Sequence, residues 1–94
     1  MGIYAIIWKA SVSQNVFEER IPALMDWLRS LHDQKRLRAC GGWSHSEGGL
    51  TIIQAANLEE AVCINKQNPL SEIGTSDVYE WDLFYADLVS PWPL

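Results

Sequence analysis

Hydrophobic periodicity along the chain predicts an α+β domain in which a four-stranded antiparallel sheet carries both of its helices on one face. Three observations predict it. Four short β-rich segments place apolar residues with period two, two other segments repeat them at helical spacing, and the six come in the order strand, helix, strand, strand, helix, strand. The chain has 94 residues, 48% of them hydrophobic and 20% charged, which suits one domain and is too short for two. A single domain over residues 1–94 is expected, with its globular core in residues 1–88 and a tail in residues 89–94.

Ile3 to Lys9 opens the chain as a strand with apolar residues on both alternating faces: Ile3, Ala5 and Ile7 on one, Tyr4, Ile6 and Trp8 on the other. Asn15, followed three residues later by Glu18, has the form of a capping box. Pro22 costs about 3 kcal/mol in a helix interior and little at the first helical position, so the main helix is expected to begin near Ile21 after a short turn. Its apolar stripe is Ile21, Leu24, Met25, Leu28 and Leu31, with Lys35, Arg36 and Arg38 around its C-terminal end, where the helix dipole favours cations.

Leu37 to Trp43 reads as the second strand, with Gly41-Gly42 allowing a bulge or a close backbone approach. His45-Ser46-Glu47-Gly48 is a polar turn, and Gly49 to Ala55 alternates as the third strand, completing a hairpin. Asn57-Leu58-Glu59-Glu60 is a second capping box; it opens a helix whose Leu58, Ala61, Val62 and Ile64 face the core until Asn68-Pro69 stops it. Leu70 and Ile73 anchor the loop that follows. Val78 to Leu83 is the last strand, with Ala86 as its furthest extent, and Ser90 to Leu94 is an extended tail.

This order is the split βαβ pattern of ferredoxin-like domains. With both helices on one face, the other face of the sheet is left open, yet the first strand carries large apolar residues on both sides. Leaving one such aromatic in water forfeits at most about 4 to 6 kcal/mol. A second copy of the sheet is the simplest cover, so a homodimer is expected.

Composition excludes several classes of function. Seven Lys plus Arg against twelve Asp plus Glu give a net charge of −5 with no basic cluster, which speaks against nucleic-acid binding. The longest apolar run, Ile3 to Trp8, is six residues, too short for a membrane span or a signal-peptide core, and a cytoplasmic protein is expected. Cys40 and Cys63 form no CxxC pair and lie in apolar segments, so free, buried thiols are expected. His32 and His45 have no metal-ligand spacing, and the glycines match neither the dinucleotide nor the P-loop pattern; no metal and no cofactor is expected.

Cys40-Gly41-Gly42-Trp43, Gly49-Leu50-Thr51-Ile52-Ile53, Asn57-Leu58-Glu59-Glu60-Ala61, Asn68-Pro69-Leu70 and Tyr79-Glu80-Trp81 together resemble the YCII-related and muconolactone-isomerase-like proteins. The resemblance covers most of the chain and consists of short packing motifs. It implies a dimeric α+β barrel, in which two ferredoxin-like sheets face each other around a cavity. It also implies, for YCII proteins, an acid/base pair: a His shortly after an Arg-Pro early in the first helix, and an Asp after the glycine-containing second strand. Aligning Pro22 with that Pro puts Leu24 where the His would stand, and Gly42-Trp43-Ser44-His45 holds no Asp. The family pair is therefore missing from this chain. Muconolactone-type isomerases shift a proton within a small lactone, which needs a general acid or base at the cavity.

Glu80 and Asp82, two apart on the expected last strand, share a face; lining the inter-sheet cavity they would serve as proton carriers, and on an edge strand they would be solvated charges that discourage aggregation. His45 in the hairpin turn is a third candidate proton carrier, or an ordinary surface histidine. Tyr4, Trp8 and Trp43 are candidate walls for a flat ligand, or simple core and interface packing. Two classes of function follow. One is a cofactor-free isomerase or lyase acting on a small hydrophobic or aromatic-derived metabolite, with a cofactor-free monooxygenase as a variant by fold analogy. The other is a non-catalytic metabolite-binding or accessory protein.

Overall fold

The computed structural model describes residues 1–44 and 47–89. The six elements come in the expected order: β1 (Gly2–Ala10), α1 (Gln14–Asp33), β2 (Leu37–Gly42), β3 (Gly49–Ala55), α2 (Leu58–Lys66) and β4 (Gly74–Glu80). All pairings are antiparallel and the strand order is β2-β3-β1-β4, the ferredoxin-like arrangement. β1 is central, as a segment apolar on both sides must be.

Directly paired residues of an antiparallel ladder project from the same face. Tyr4, Ile6 and Trp8 therefore share a face with Thr51 and Ile53 of β3 and with Ser76, Val78 and Glu80 of β4. Both helices pack there. Tyr4, Ile6 and Ile53 join Trp27, Leu28, Leu31 and Ala61 in the main core cluster, while Trp8, Leu70 and Ile73 form a second one with Val16 and Phe17 against it. The opposite face carries Ile3, Ala5, Ile7, Leu50, Ile52 and Tyr79, and none of them belongs to either cluster. It is the open face.

The helix starts earlier than Pro22 suggested. α1 is one unbroken helix with Pro22 inside it, capped by extended Ser13 rather than by Asn15, and Ser13 makes no side-chain cap bond. Pro22 and Glu18 are both exposed, so the Glu18 carbonyl that loses its helical partner at Pro22 can be satisfied by water. Burial holds both halves: Val16 and Phe17 upstream, Trp27, Leu28 and Leu31 downstream. Of the expected stripe, Leu28 and Leu31 are buried, Leu24 and Met25 half-buried, and Ile21 exposed.

In β2 the register shift lies between Leu37 and Ala39, not at Gly41-Gly42. The chain leaves α1 through Lys35 at φ 61°, and Arg36 is pinned by its carbonyl accepting from Gln54 N at 2.8 Å and by its guanidinium donating to the Gln54 carbonyl at 3.3 Å, so the kink falls beside that anchor. α2 begins at Asn57, whose Oδ1 accepts from Glu60 N at 2.9 Å; the Glu60 carboxylate accepts in return from Ala56 N at 3.0 Å. Leu58 does not face the core: it is exposed, and Ala61 and Asn65 are the buried positions of this helix.

β4 begins four residues earlier than expected and ends sooner. Gly74 sits opposite Ala10, where a Cβ would strike the Lys9 carbonyl, so the ladder starts on a glycine. At the other end the ladder stops at Glu80 opposite Tyr4, with one further bond, Trp81 N donating to the Ile3 carbonyl at 2.8 Å. Residues 81–89 are irregular and exposed. Cys40 and Cys63 are free, as expected, but exposed rather than buried. No described helix is long and apolar enough to cross a membrane.

Candidate functional site

Trp8 organises one end of the sheet. Its register partner on β3 is Gly49, so nothing on that side competes for space above the strand, and the indole turns toward the start of α1. There it stacks on Phe17, with ring centroids 5.6 Å apart and planes at 28°. Its Nε1 donates to the Leu70 carbonyl at 3.0 Å, which satisfies the one polar atom of a side chain only 4% exposed. Arg20 fixes the loop that supplies this carbonyl, donating to Pro69 O at 3.1 Å and to Glu72 at 3.2 Å.

Over this pair lies a cleft of about 540 Å³, lined by Trp8, Ala10, Gln14, Phe17, Gly42, Trp43, Ser44, Glu47 and Gly48. That volume is in the range of small-molecule sites. The β2–β3 turn forms its outer wall. Trp43 N donates to the Gly48 carbonyl at 3.1 Å, and Gly48, at φ 116°, lies so close to the Trp8 carbonyl that no side chain fits. Its aromatic lining is Trp8, Phe17 and Trp43, and its polar side chains are the exposed Gln14, Ser44 and Glu47. Leu24 packs against both core clusters, so the position that the family pattern gives to a His is occupied here by a half-buried aliphatic side chain.

A second, more open groove of about 650 Å³ lies at the other end of β1, lined by Met1, Gly2, Ile3, Glu80, Trp81, Asp82, Leu83 and Phe84. Its ionisable side chains are Glu80 and Asp82, and Glu80 lies opposite the buried Tyr4 in the ladder. The Tyr4 phenol is held above its ordinary pKa by burial first, then by the charge of Glu80 and the hydrogen bond between them.

The expected site residues thus separate. Trp8 and Trp43 line one cleft together. Tyr4 is buried under the helices at 3% exposure and lines neither hollow. Glu80 and Asp82 line the second groove but do not share a strand face: Asp82 lies past the end of β4, and Glu80, opposite Tyr4, is on the helix side of the sheet. Tyr79 is the residue of that strand end on the open face, because the ladder is in register Ala5 with Tyr79. His45 lies outside the described residues. Phe17, Gln14 and Glu47 were not legible as site residues. Phe17 stood inside an apparent capping motif and Glu47 in a polar turn; the usable signal was Gly48-Gly49, which folds that turn back onto Trp8. Among the described residues no group of three or more His, Cys, Asp or Glu side chains is placed to hold a metal ion.

The comparisons agree with this fold. A search of solved structures finds the same fold in 5-chloro-2-hydroxyhydroquinone dehydrochlorinase (TftG) from Burkholderia phenoliruptrix AC1100, solved in complex with 2,5-dihydroxybenzoquinone. The match has a TM-score of 0.73 at 16% identity and covers 85% of this chain and 93% of that one. The uncharacterized protein YjpA of Bacillus subtilis (strain 168) is 30% identical over 83 residues, covering 86% of this chain and 98% of the relative. The model of the YCII-related domain matches residues 3–82. With that match over most of its length and the ferredoxin-like strand order, the chain belongs to the YCII-related domain family.

Proposed function

We propose that the chain is a small homodimeric, cofactor-free enzyme of the isomerase or lyase type, which takes a flat, oxygen-bearing aromatic or quinone-like metabolite between Trp8, Phe17 and Trp43. The observation that carries this reading is the cleft itself: aromatic walls for a planar ring, with Glu47 the only ionisable side chain among the described residues that line it. A carboxylate there can take a proton from a carbon next to a carbonyl. The resulting enolate then either regains the proton at another carbon, an isomerisation, or expels a leaving group, an elimination. The quinone bound by the structurally similar dehydrochlorinase supports the choice of ligand class. The open sheet face, with Tyr79 at 55% exposure, supports the second copy.

The test is turnover of a panel of hydroxylated and chlorinated hydroquinones and small unsaturated lactones, followed chromatographically. Glu47→Gln is expected to lower the rate at least about 100-fold with the association state unchanged. Glu80→Gln and Asp82→Asn serve as the comparison. If the rate falls in these two and not in Glu47→Gln, the reaction belongs to the groove beside β4, the site expected from sequence. His45→Ala tests the remaining proton carrier.

A second reading is a non-catalytic binding or accessory protein. Leu24 favours it, since an aliphatic residue at the family's His position has no proton to move. Thermal stabilisation by the same compounds, with no product from any of them, would establish this reading in place of the first.

A further inference from the structure

Among the described residues, the segment after β4 is the most exposed apolar stretch. Phe84 is 97% exposed, Val89 88%, Tyr85 78% and Leu88 76%. The sequence Leu83-Phe84-Tyr85-Ala86-Asp87-Leu88-Val89 is rich in β-favouring residues, yet it forms no ladder and its one described side-chain hydrogen bond, Tyr85 to Asp87 at 3.4 Å, is internal. The match to the YCII-related domain ends at residue 82, so the segment lies beyond the part that builds the sheet.

We propose that residues 83–89 are an arm that packs against a second copy of this chain. The inference rests on the dimer reading and adds to it the element that reaches across. Three features select a second copy as the occupant. The arm continues directly from Tyr79, on the open face, and from Trp81, which is bonded to Ile3 and still 42% exposed, so the chain emerges at the edge of the seam where a second sheet would lie. The charges are complementary: the arm carries Asp87 and follows Asp82, while Lys9 projects from the open face and Arg38 reaches Gln54 on that same face. The area also suffices. Phe84 and Tyr85 alone expose on the order of 300 Å² per arm, and two reciprocal arms, with the surface each covers, bury on the order of 1,200 Å², the lower bound of a stable interface before the sheet faces are added.

The test uses the full chain with Phe84 replaced by photoreactive p-benzoylphenylalanine. Equal amounts of unlabelled and ¹⁵N-labelled protein are mixed, equilibrated and irradiated, and the products are mapped by mass spectrometry. Cross-links joining light to heavy chains are expected, with the partner peptides drawn from β1, β3 and the end of β4. The double variant Phe84→Ser with Tyr85→Ser is expected to weaken self-association about 10-fold or more in sedimentation. A dimer that gives cross-links only within one isotopic species overturns the arm and leaves the dimer standing. A full-length chain that sediments as a monomer overturns both.

Discussion

The two faces of the sheet are made from alternate residues of the same strands, and they end in different states. On the helix side Tyr4, Ile6, Trp8 and Ile53 are all at or below 4% exposure. On the other side Ile3, Ala5, Ile7 and Leu50 are of similar character but only half-buried, Tyr79 is exposed, and of the apolar residues there Ile52 alone, at 5%, is as buried as the helix side. Residue type does not separate the faces. What separates them is the cover that the chain itself supplies: α1 and α2 lie on one side, and one chain has no third layer for the other. The covered face is where this chain's stability resides, and the open face is the one the proposed second copy would cover.

Substitutions on the two sides break that contrast in different measurements. Ile6→Ala, at a position 1% exposed, is expected to cost about 2–5 kcal/mol in urea denaturation; a cost below about 1 kcal/mol would mean that the helix side is not the tight core. Ile7→Lys, one residue along and facing the other way, should leave the folded chain intact while weakening self-association about 100-fold, because a charge is placed where an apolar face meets its partner. If sedimentation is unaltered, the open face is not the contact surface.

Smaller effects sharpen the picture. Gly48→Ala is expected to destabilise by about 1–3 kcal/mol and to weaken ligand binding with it, since φ 116° suits glycine and a Cβ would meet the Trp8 carbonyl. A stability loss with unaltered binding would detach the turn from the cleft. Asn57→Ala should cost about 1 kcal/mol through the lost bond to Glu60 N, with no effect on association.

The pH dependence belongs to the helix side as well. The Glu60 carboxyl is held below its ordinary pKa by the Ala56 N–H and then by Arg36, so its contribution is complete above the unfolded value and is lost as pH falls from about 4.3 through the folded value. Tyr4 is shifted up, so its contribution is complete below its unfolded value of about 10 and is lost as pH rises through the folded one. Melting temperatures of Glu60→Gln and Tyr4→Phe should each lose one flank of the profile; a variant that keeps the flank removes that residue as its cause.

Much of the fold was legible because it depends on local patterns. Alternation in Ile3–Lys9 and Gly49–Ala55 located β1 and β3, and Asn57 with Glu60 marked the start of α2. The reading failed where a distant segment decides. Pro22 argued for a break in the first helix, but burial on both sides of it outweighs one missing hydrogen bond. The last strand was placed too late because its limits are set by β1: Gly74 is required by the proximity of Lys9, and Ile3 supplies the last bond to Trp81. That shift is also why Glu80 and Asp82 do not share a strand face. Leu58 and the two cysteines are apolar or weakly polar residues whose exposure no periodicity reveals.

The sequence by itself determined the number, type and order of the elements, the two-sided character of the first strand and the membership of the family, since each depends on residues close together or on period alone. Only the tertiary structure decided which of two equally apolar strand faces the helices cover, and that Trp8, Phe17, Trp43 and Glu47 enclose one cleft. Those outcomes depend on register and on loop closure, where contacts join residues far apart in the chain and a shift of one residue turns every side chain to the opposite side.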